Sequence, residues 1–392
     1  MVNNIILYDG DSASSLYPLT LTKPIAELRI GILTIKEKWE KYLDARAGFL
    51  TSNYLAPKFK SEIKEDNYFI NGTLLPDDDI LDDIKSLSID EGILYDEELI
   101  AYRSQTIQTK DELKSLKTIS KTLNRISHPE QIFKQNEEEL IKDYRLITAN
   151  RYSQKISHTN QTFGEEIFVE EGAYIECSVL NAEPGPIYIG KEAKILEGNL
   201  IRGSLAMCEG AVLKMGGKTY GSTTLGPRVK LCGEIKNVVV QANSNKGHSG
   251  YLGNSVIGEW CNFGAGTIAS NMKNNYGEVK LWDYTTDAFR NTGTQFCGLI
   301  MGDHSKTGIN TMFNTGTVVG VGCNVFGAGY PRTFIPSFSW GGRENNVTNK
   351  LSKCLEVASI MMPRRDQELT RADIDILTHI FKETARNRKW ER

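Results

Sequence analysis

Residues 189–213 read Ile189-Gly-Lys-Glu-Ala-Lys-Ile195-Leu-Glu-Gly-Asn-Leu-Ile201-Arg-Gly-Ser-Leu-Ala-Met207-Cys-Glu-Gly-Ala-Val-Leu213. An aliphatic or similar residue returns at every sixth position, five times in succession. That period matches neither an α-helical stripe nor the two-residue alternation of an ordinary strand. It fits a three-sided coil in which each hexad forms one flat side. The recurring residue points inward and stacks on its equivalent one coil away. The spacing returns at Leu225 and Leu231, at Ile257 and Phe263, and at Thr307, Phe313, Val319 and Val325. Glycine often follows the apolar position, as at Gly190, Gly226, Gly258 and Gly320, where a small residue lets the chain turn a corner. The expected fold is a left-handed parallel β-helix of about nine coils. The alternative, a β-sandwich with chance spacing, sits poorly with five consecutive positions in phase.

Outward from this segment the composition changes. Of 35 glycines, 28 lie between residues 164 and 330, a shift too large for loop density alone. A chain of 392 residues exceeds one ordinary core. The expected division is an α/β domain over residues 1–150, the β-helix over 151–345 and a helical tail over 346–392. In the first of these, Asn4–Tyr8, Tyr68–Asn71, Ile93–Tyr95 and Leu99–Arg103 read as strands. Ile32–Leu43, Asp77–Lys85 and Pro129–Asp143 read as helices, and Pro129 suits a first helical turn. Such alternation predicts a mixed layered structure. In the tail, Leu351, Leu355, Ala358 and Met362 have helical spacing that Pro363 breaks. Ile374, Leu377, Ile380 and Phe381 form a second apolar face. The tail ends in a basic run, 386–392, and a cap over the last coil is favoured over a phosphate-binding tail.

The net charge of −3 and the lack of a long basic stretch argue against a nucleic-acid binder. Cys177, Cys208, Cys232, Cys261, Cys297, Cys323 and Cys354 form no C-x-x-C pair, which predicts reduced thiols in a reducing compartment. The apolar run ending at Leu7 meets Asp9 and Asp11 at once, unlike a secretory signal. No apolar run approaches bilayer length. A cytoplasmic protein without membrane partners is expected.

The segment richest in chemistry runs from Glu234 to Asn271. It contains Glu234-Ile235-Lys236-Asn237, then Gly247-His248-Ser249-Gly250-Tyr251-Leu252-Gly253. Asn262-Phe263-Gly264-Ala265-Gly266-Thr267-Ile268 and Ser270-Asn271 follow. A histidine of near-neutral pKa suits proton removal from an attacking amine. The segment resembles the acetyltransferase half of the bifunctional N-acetylglucosamine-1-phosphate uridylyltransferase/glucosamine-1-phosphate acetyltransferase family. That family shows E-I-K-N, G-H-x-x-Y-L-G, N-I-G-A-G-T-I and C-N-Y. The resemblance implies acetyl-CoA as cosubstrate, an aminosugar 1-phosphate as acceptor and a homotrimer with the coenzyme between subunits. It implies His248 as general base, and Lys236 and Tyr251 on the sugar phosphate. Asn262 and Asn271 are implied as substrate contacts, and Ala265 as a close backbone approach for the coenzyme. Two positions depart from the pattern. The family's upstream arginine has no counterpart in Lys218–Thr223, where Lys218 or Arg228 are the candidate substitutes, and Met272 replaces the tyrosine of C-N-Y.

The N-terminal residues resemble, more faintly, sugar nucleotidyltransferases. Ile5-Ile6-Leu7-Tyr8 is followed by Asp9-Gly10-Asp11-Ser12, Leu16-Tyr17-Pro18-Leu19-Thr20 and Lys23-Pro24. The resemblance implies Gly10, Lys23 and Gly72 as nucleotide-binding positions, UTP or dTTP as substrate, and Mg²⁺ if the domain is active. Thr73 stands where the family carries a metal-binding aspartate. Asp77, Asp78 and Asp79 are nearby, in an acidic helix start. The metal ligands stay open. Two further readings remain: a nucleotidyltransferase with a regulatory β-helix, and a non-catalytic trimeric scaffold.

Overall fold

The computed structural model describes residues 4–343 and 346–391, so the expected boundary at 345 and the last residue of the basic end lie outside the described residues. The N-terminal domain is a six-stranded mixed sheet. Its strands are β1 (Ile5–Tyr8), β2 (Ala47–Leu50), β3 (Asn67–Asn71), β4 (Glu91–Tyr95), β5 (Glu98–Ser104) and β6 (Ser115–Thr118), in the order β2-β1-β3-β5-β4-β6. β1 runs parallel to β2 and β3, whereas β5 is antiparallel to β3 and β4. Helices α1 (Ile35–Leu43), α2 (Asp78–Lys85) and α3 (Pro129–Thr148) complete the layer. β2 and β6 were not foreseen: β6 is exposed along its length and carries no alternation. α1 starts three residues later than its apolar spacing predicts. Thr34 and Glu37 close a capping box there, and Ile32 instead packs with Ala206 and Cys208 of the β-helix.

Coils of the β-helix run from Gln161 to Gly341. The first face stacks Val179–Asn181, Leu200–Arg202, Lys218–Tyr220 and onward. The second face carries nine parallel segments, from Ile167–Val169 to Phe334–Ile335. The third stacks Tyr174–Ile175 through Lys230–Leu231 to Asn245–Lys246, and resumes at Lys306–Thr307. Every inward position named from the six-residue period is buried, from Ile189 to Val325. The period slips between Leu231 and Ile257 for a visible reason. Glu234–Val240 and Tyr251–Ile257 are continuous strands that bend across two faces, so each loses a corner residue, and the step from Leu231 to Ile235 is two residues shorter than its counterpart from Leu213 to Thr219.

The second face is apolar on both sides. Val238 and Val240 point into the coil core, while Val239 joins Val256, Ile300 and Val318 in the core of the N-terminal domain. Runs such as Val238-Val239-Val240 and Leu299-Ile300-Met301 therefore record burial from two sides. The α3 helix lies on this face. Buried Asn136 accepts from the Gly31 amide at 2.8 Å and donates to Ser222 Oγ at 2.9 Å. Gln241 closes a reciprocal pair with the backbone of Arg29, at 2.7 and 3.1 Å. An insertion after Ala269 forms the antiparallel hairpin Lys280–Asp283/Ala288–Asn291. It is fastened to the N-terminal domain by Arg290–Glu130 at 2.7 Å.

In the tail, α4 (Leu351–Met361) and α5 (Arg371–Glu383) follow the expected apolar spacing. They form more than a cap over the last coil. Cys354, Ile376, Leu377 and Ile380 wedge between Leu21 and Leu55 of the first domain and Val321 and Phe338 of the β-helix. Arg388, in the basic run that ends the tail, is buried and donates to Thr384 Oγ1 and the Phe381 carbonyl.

Candidate functional site: a basic groove beside His248

His248 lies at the corner between the third face and the next first-face strand, and its side chain is exposed. It borders a groove of about 600 Å³ whose lining includes Asn262 and Ala265. The outward column of the third face forms the floor. Lys230, Asn245, Asn262 and Lys306 follow one another in register, about 4.8 Å apart along the stack. The tail forms the opposite wall. After α4, Pro363 ends the helix in a single turn, 362–365, that presents Arg364 and Arg365 to the groove. Arg365 Nη2 donates to Asn245 Oδ1 at 2.9 Å, and Arg228 Nη1 donates to the Arg365 carbonyl. Met361 and Trp260 supply apolar wall.

The groove is strongly electropositive. Lys214, Lys230, Lys306, Arg364 and Arg365 line it, with no carboxylate among the described lining residues. Burial, then Arg365 and other neighbouring cations, pull Lys230 below the usual lysine range. Burial followed by Arg364 and Arg228 lowers Arg365 in the same way. Cations gathered at such mutual cost form a ready receptor for phosphate. The Gly264-Ala265-Gly266 turn stands at the groove edge, and Gly266 has φ +71°. Residues and shape fit the phosphorylated end of a coenzyme A thioester.

The remaining expected substrate residues sit around the corner, on the first face. Lys236 Nζ lies 5.7 Å from the centre of the Tyr220 ring and 5.9 Å from that of Phe296. Tyr220 donates to Glu234 at 2.7 Å. A Cβ on Gly253 would meet the Tyr251 hydroxyl at 2.3 Å and Asn271 Nδ2 at 2.8 Å, so both polar groups converge above that glycine. Asn271 also donates to Asn254 Oδ1 at 2.8 Å. Within one chain, then, Lys236, Tyr251 and Asn271 form one cluster on the first face, while His248, Asn262 and Ala265 border the groove.

Sequence reading missed several groups. Arg202 is aligned with Tyr220 and Lys236 on the first face, whereas Arg228, considered as a substitute for the missing arginine, faces the tail. Lys218 is in register with Glu234 and Tyr251. Lys246 is the other omission. It occupies an inward position, in register with Leu231, and is 2% exposed. Its ammonium donates to the carbonyls of His248 at 2.9 Å and Cys232 at 3.4 Å, pinning the His248 turn. Burial pulls its pKa down to about 8. No six-residue phase marks it, because Lys246 follows its stacking partner Leu231 by 15 positions.

The N-terminal positions are arranged differently. Lys23 is buried against the β-helix, ion-paired with Asp303 at 3.1 Å and with Glu259. A Cβ on Gly72 would meet the Tyr8 carbonyl at 3.3 Å, and Gly10 is an exposed residue with φ +54°. Gly10 borders the Tyr8 ring and Gly72 the Tyr8 carbonyl, whereas Lys23 is engaged by Asp303 and Glu259. Asp9 accepts from the Ile25 amide at 2.8 Å and from Thr51, and burial raises its carboxyl pKa. Thr73 bonds Asn71 at 2.7 Å, and Asp77 caps α2 by accepting from the Ile80 amide at 3.0 Å. Among the described residues no group of three or more His, Cys, Asp or Glu side chains is gathered to hold a metal. At the position of the expected metal-binding aspartate, Thr73 offers a hydroxyl and no carboxylate. No described helix is long and apolar enough to cross a membrane.

Fold and site together define a two-domain chain: a mixed α/β domain docked on a parallel β-helix with a basic groove. Residues 5–152 match the sugar nucleotidyl transferase family. The bifunctional protein GlmU of Methanocaldococcus jannaschii is 38% identical over 90 residues, 23% of this chain and 21% of that protein. A bifunctional sugar-1-phosphate nucleotidylyltransferase/acetyltransferase of Sulfurisphaera tokodaii is 33% identical over 93 residues, covering 24% and 23%. The matches thus span about a fifth of the length of these relatives. Among solved structures, the Arabidopsis UDP-N-acetylglucosamine acyltransferase aligns over 54% of this chain and 80% of its own, at 11% identity and TM-score 0.31.

Proposed function

We propose that the chain is a sugar-phosphate transferase whose β-helix acetylates the amine of an aminosugar 1-phosphate from acetyl-CoA. The observation that carries this reading is the cluster of five cations along the groove that ends at His248. Lys214, Lys230, Arg364 and Arg365 would hold the coenzyme's phosphates, and Ala265 would admit its pantetheine arm. Lys236, with Arg202 in the same column, would bind the sugar phosphate, while Tyr251 and Asn271 orient the ring. The amine attacks the thioester carbonyl, His248 takes the amine proton, and coenzyme A leaves as the thiol.

These two residue sets lie on different faces of one chain, which favours a homotrimer in which a neighbour's first face completes the groove. Leu200 and Ile268, exposed on that face, suit such a contact. The N-terminal domain is proposed as a nucleotidyltransferase-derived unit that braces the β-helix. UTP or dTTP chemistry in it is the second reading, favoured by the family match alone. The site reading implies cytoplasmic substrates.

The test supplies acetyl-CoA with a panel of aminosugar 1-phosphates and follows free thiol. Wild type should turn over at least one acceptor, and His248→Ala should fall by about 10²–10⁴-fold. Equal inertness of both proteins on every acceptor would remove the catalytic reading. Pyrophosphate release from UTP or dTTP with a sugar 1-phosphate tests the second reading.

A further inference from the structure

A second cavity, of about 700 Å³, opens between the inserted hairpin, the last coil and the chain's end. It shares no lining residue with the groove beside His248. Its walls are aromatic. The Trp282 indole is stacked on Phe334, with centroids 4.2 Å apart and planes 9° from parallel. Phe289 meets Trp282 edge-on at 5.3 Å and 80°. The rings are therefore held in place before any ligand arrives, and the fourth, Trp390, is anchored by its indole nitrogen to Thr348 Oγ1 at 3.0 Å.

The rim supplies the second feature. Arg332 and Lys389 are exposed there, and Asp287 is the sole carboxylate among the described lining residues. A flat ring joined to an anionic group satisfies both elements. Stacking on tryptophan suits any base, and guanidinium and ammonium groups suit phosphate. The volume lies within the range of small-molecule sites.

We propose that this cavity binds a nucleoside diphosphate, with the base against Trp282 and Trp390 and the phosphates toward Arg332 and Lys389. The hairpin that carries Trp282 also carries Tyr284, packed edge-on against Tyr17 of the N-terminal domain at 5.7 Å. A ligand here therefore touches an element that packs against both domains. The site does not depend on the acetyltransferase reading.

Calorimetric titration of the full chain with UDP, ADP, uridine and pyrophosphate tests it. UDP or ADP should bind at least tenfold more tightly than uridine or pyrophosphate alone. The double variant Arg332→Glu/Lys389→Glu should weaken that binding at least tenfold, and Phe289→Ala should weaken it too. All three positions are exposed, so the melting temperature should hold. Arg365→Ala and His248→Ala should leave UDP binding unchanged, which separates this site from the groove. Failure of both diphosphates to bind, or binding that Arg365→Ala abolishes and the double variant spares, overturns the proposal.

Discussion

Lys23 and Asp303 lie 280 positions apart in the chain, and their ammonium and carboxylate meet at 3.1 Å with both side chains 6% exposed. The pair joins the N-terminal domain to the β-helix. Thr22 Oγ1 donates to the same carboxylate at 2.7 Å, and the Glu259 amide to its other oxygen at 2.8 Å. The carboxylates of Asp303 and Glu259 hold Lys23 above the ordinary lysine range despite the opposing effect of burial. Lys23→Met would strand two acids, one fully buried, and is expected to cost about 3 kcal/mol of stability. Urea unfolding of the full chain measures this. An unchanged midpoint with weakened nucleotide binding would return Lys23 to the nucleotide role that its sequence position implied.

Arg365→Ala removes the bond to Asn245 and one cation of the groove. If that cation meets a coenzyme phosphate, KM for acetyl-CoA should rise about tenfold with kcat little altered, the size of one charged hydrogen bond. The wild-type KM should climb more steeply with salt than the variant's. A fall in kcat at constant KM would place Arg365 elsewhere in the reaction.

Lys246 gives a pH signature. Its folded pKa of about 8 lies below the ordinary lysine value because burial disfavours the ammonium. Between about pH 8 and 10 the unfolded chain binds more protons at this residue than the folded one, so its contribution to stability rises with pH. Lys246→Met removes that rise. The stability difference, wild type minus variant, should grow in favour of wild type from pH 7 to pH 10 in paired urea titrations. A constant difference would show that Lys246 is not desolvated in the folded chain.

At Gly226 an added Cβ would fall 1.5 Å from the Gln241 carbonyl oxygen, a clash with backbone that no rotamer relieves. Gly226→Ala should therefore cost about 3 kcal/mol, at the upper end for overpacking. At Gly216 nothing lies within 4 Å of an added Cβ, so alanine there meets only the strain of φ +73° and should cost about 1 kcal/mol. Thermal unfolding of the two variants ranks them, and equal losses would contradict close coil packing at Gly226.

Much of the fold was legible because a coil imposes a local period. Ile189, Ile195, Ile201, Met207 and Leu213 face inward as their spacing requires, since each stacks on a residue about one coil away. Where two coils shorten at Glu234–Val240 and Tyr251–Ile257, the phase breaks and Lys246 slipped out of view. In the site, short motifs named His248, Asn262 and Ala265 but were silent on Arg364 and Arg365. Those arginines reach the groove from a turn more than a hundred residues downstream, a placement no local spacing encodes.

The amino-acid order alone determined the β-helix, the helical tail and the residue types suited to moving a proton from an amine, because stacking, capping and side-chain chemistry act over a few positions or one coil. Tertiary structure decided which face the first domain covers, where Lys23 spends its charge and how the tail walls the groove. Those outcomes depend on burial shared between segments far apart in the chain, and such burial is set only when the apolar second face and the wedge around Ile376 and Ile380 close together.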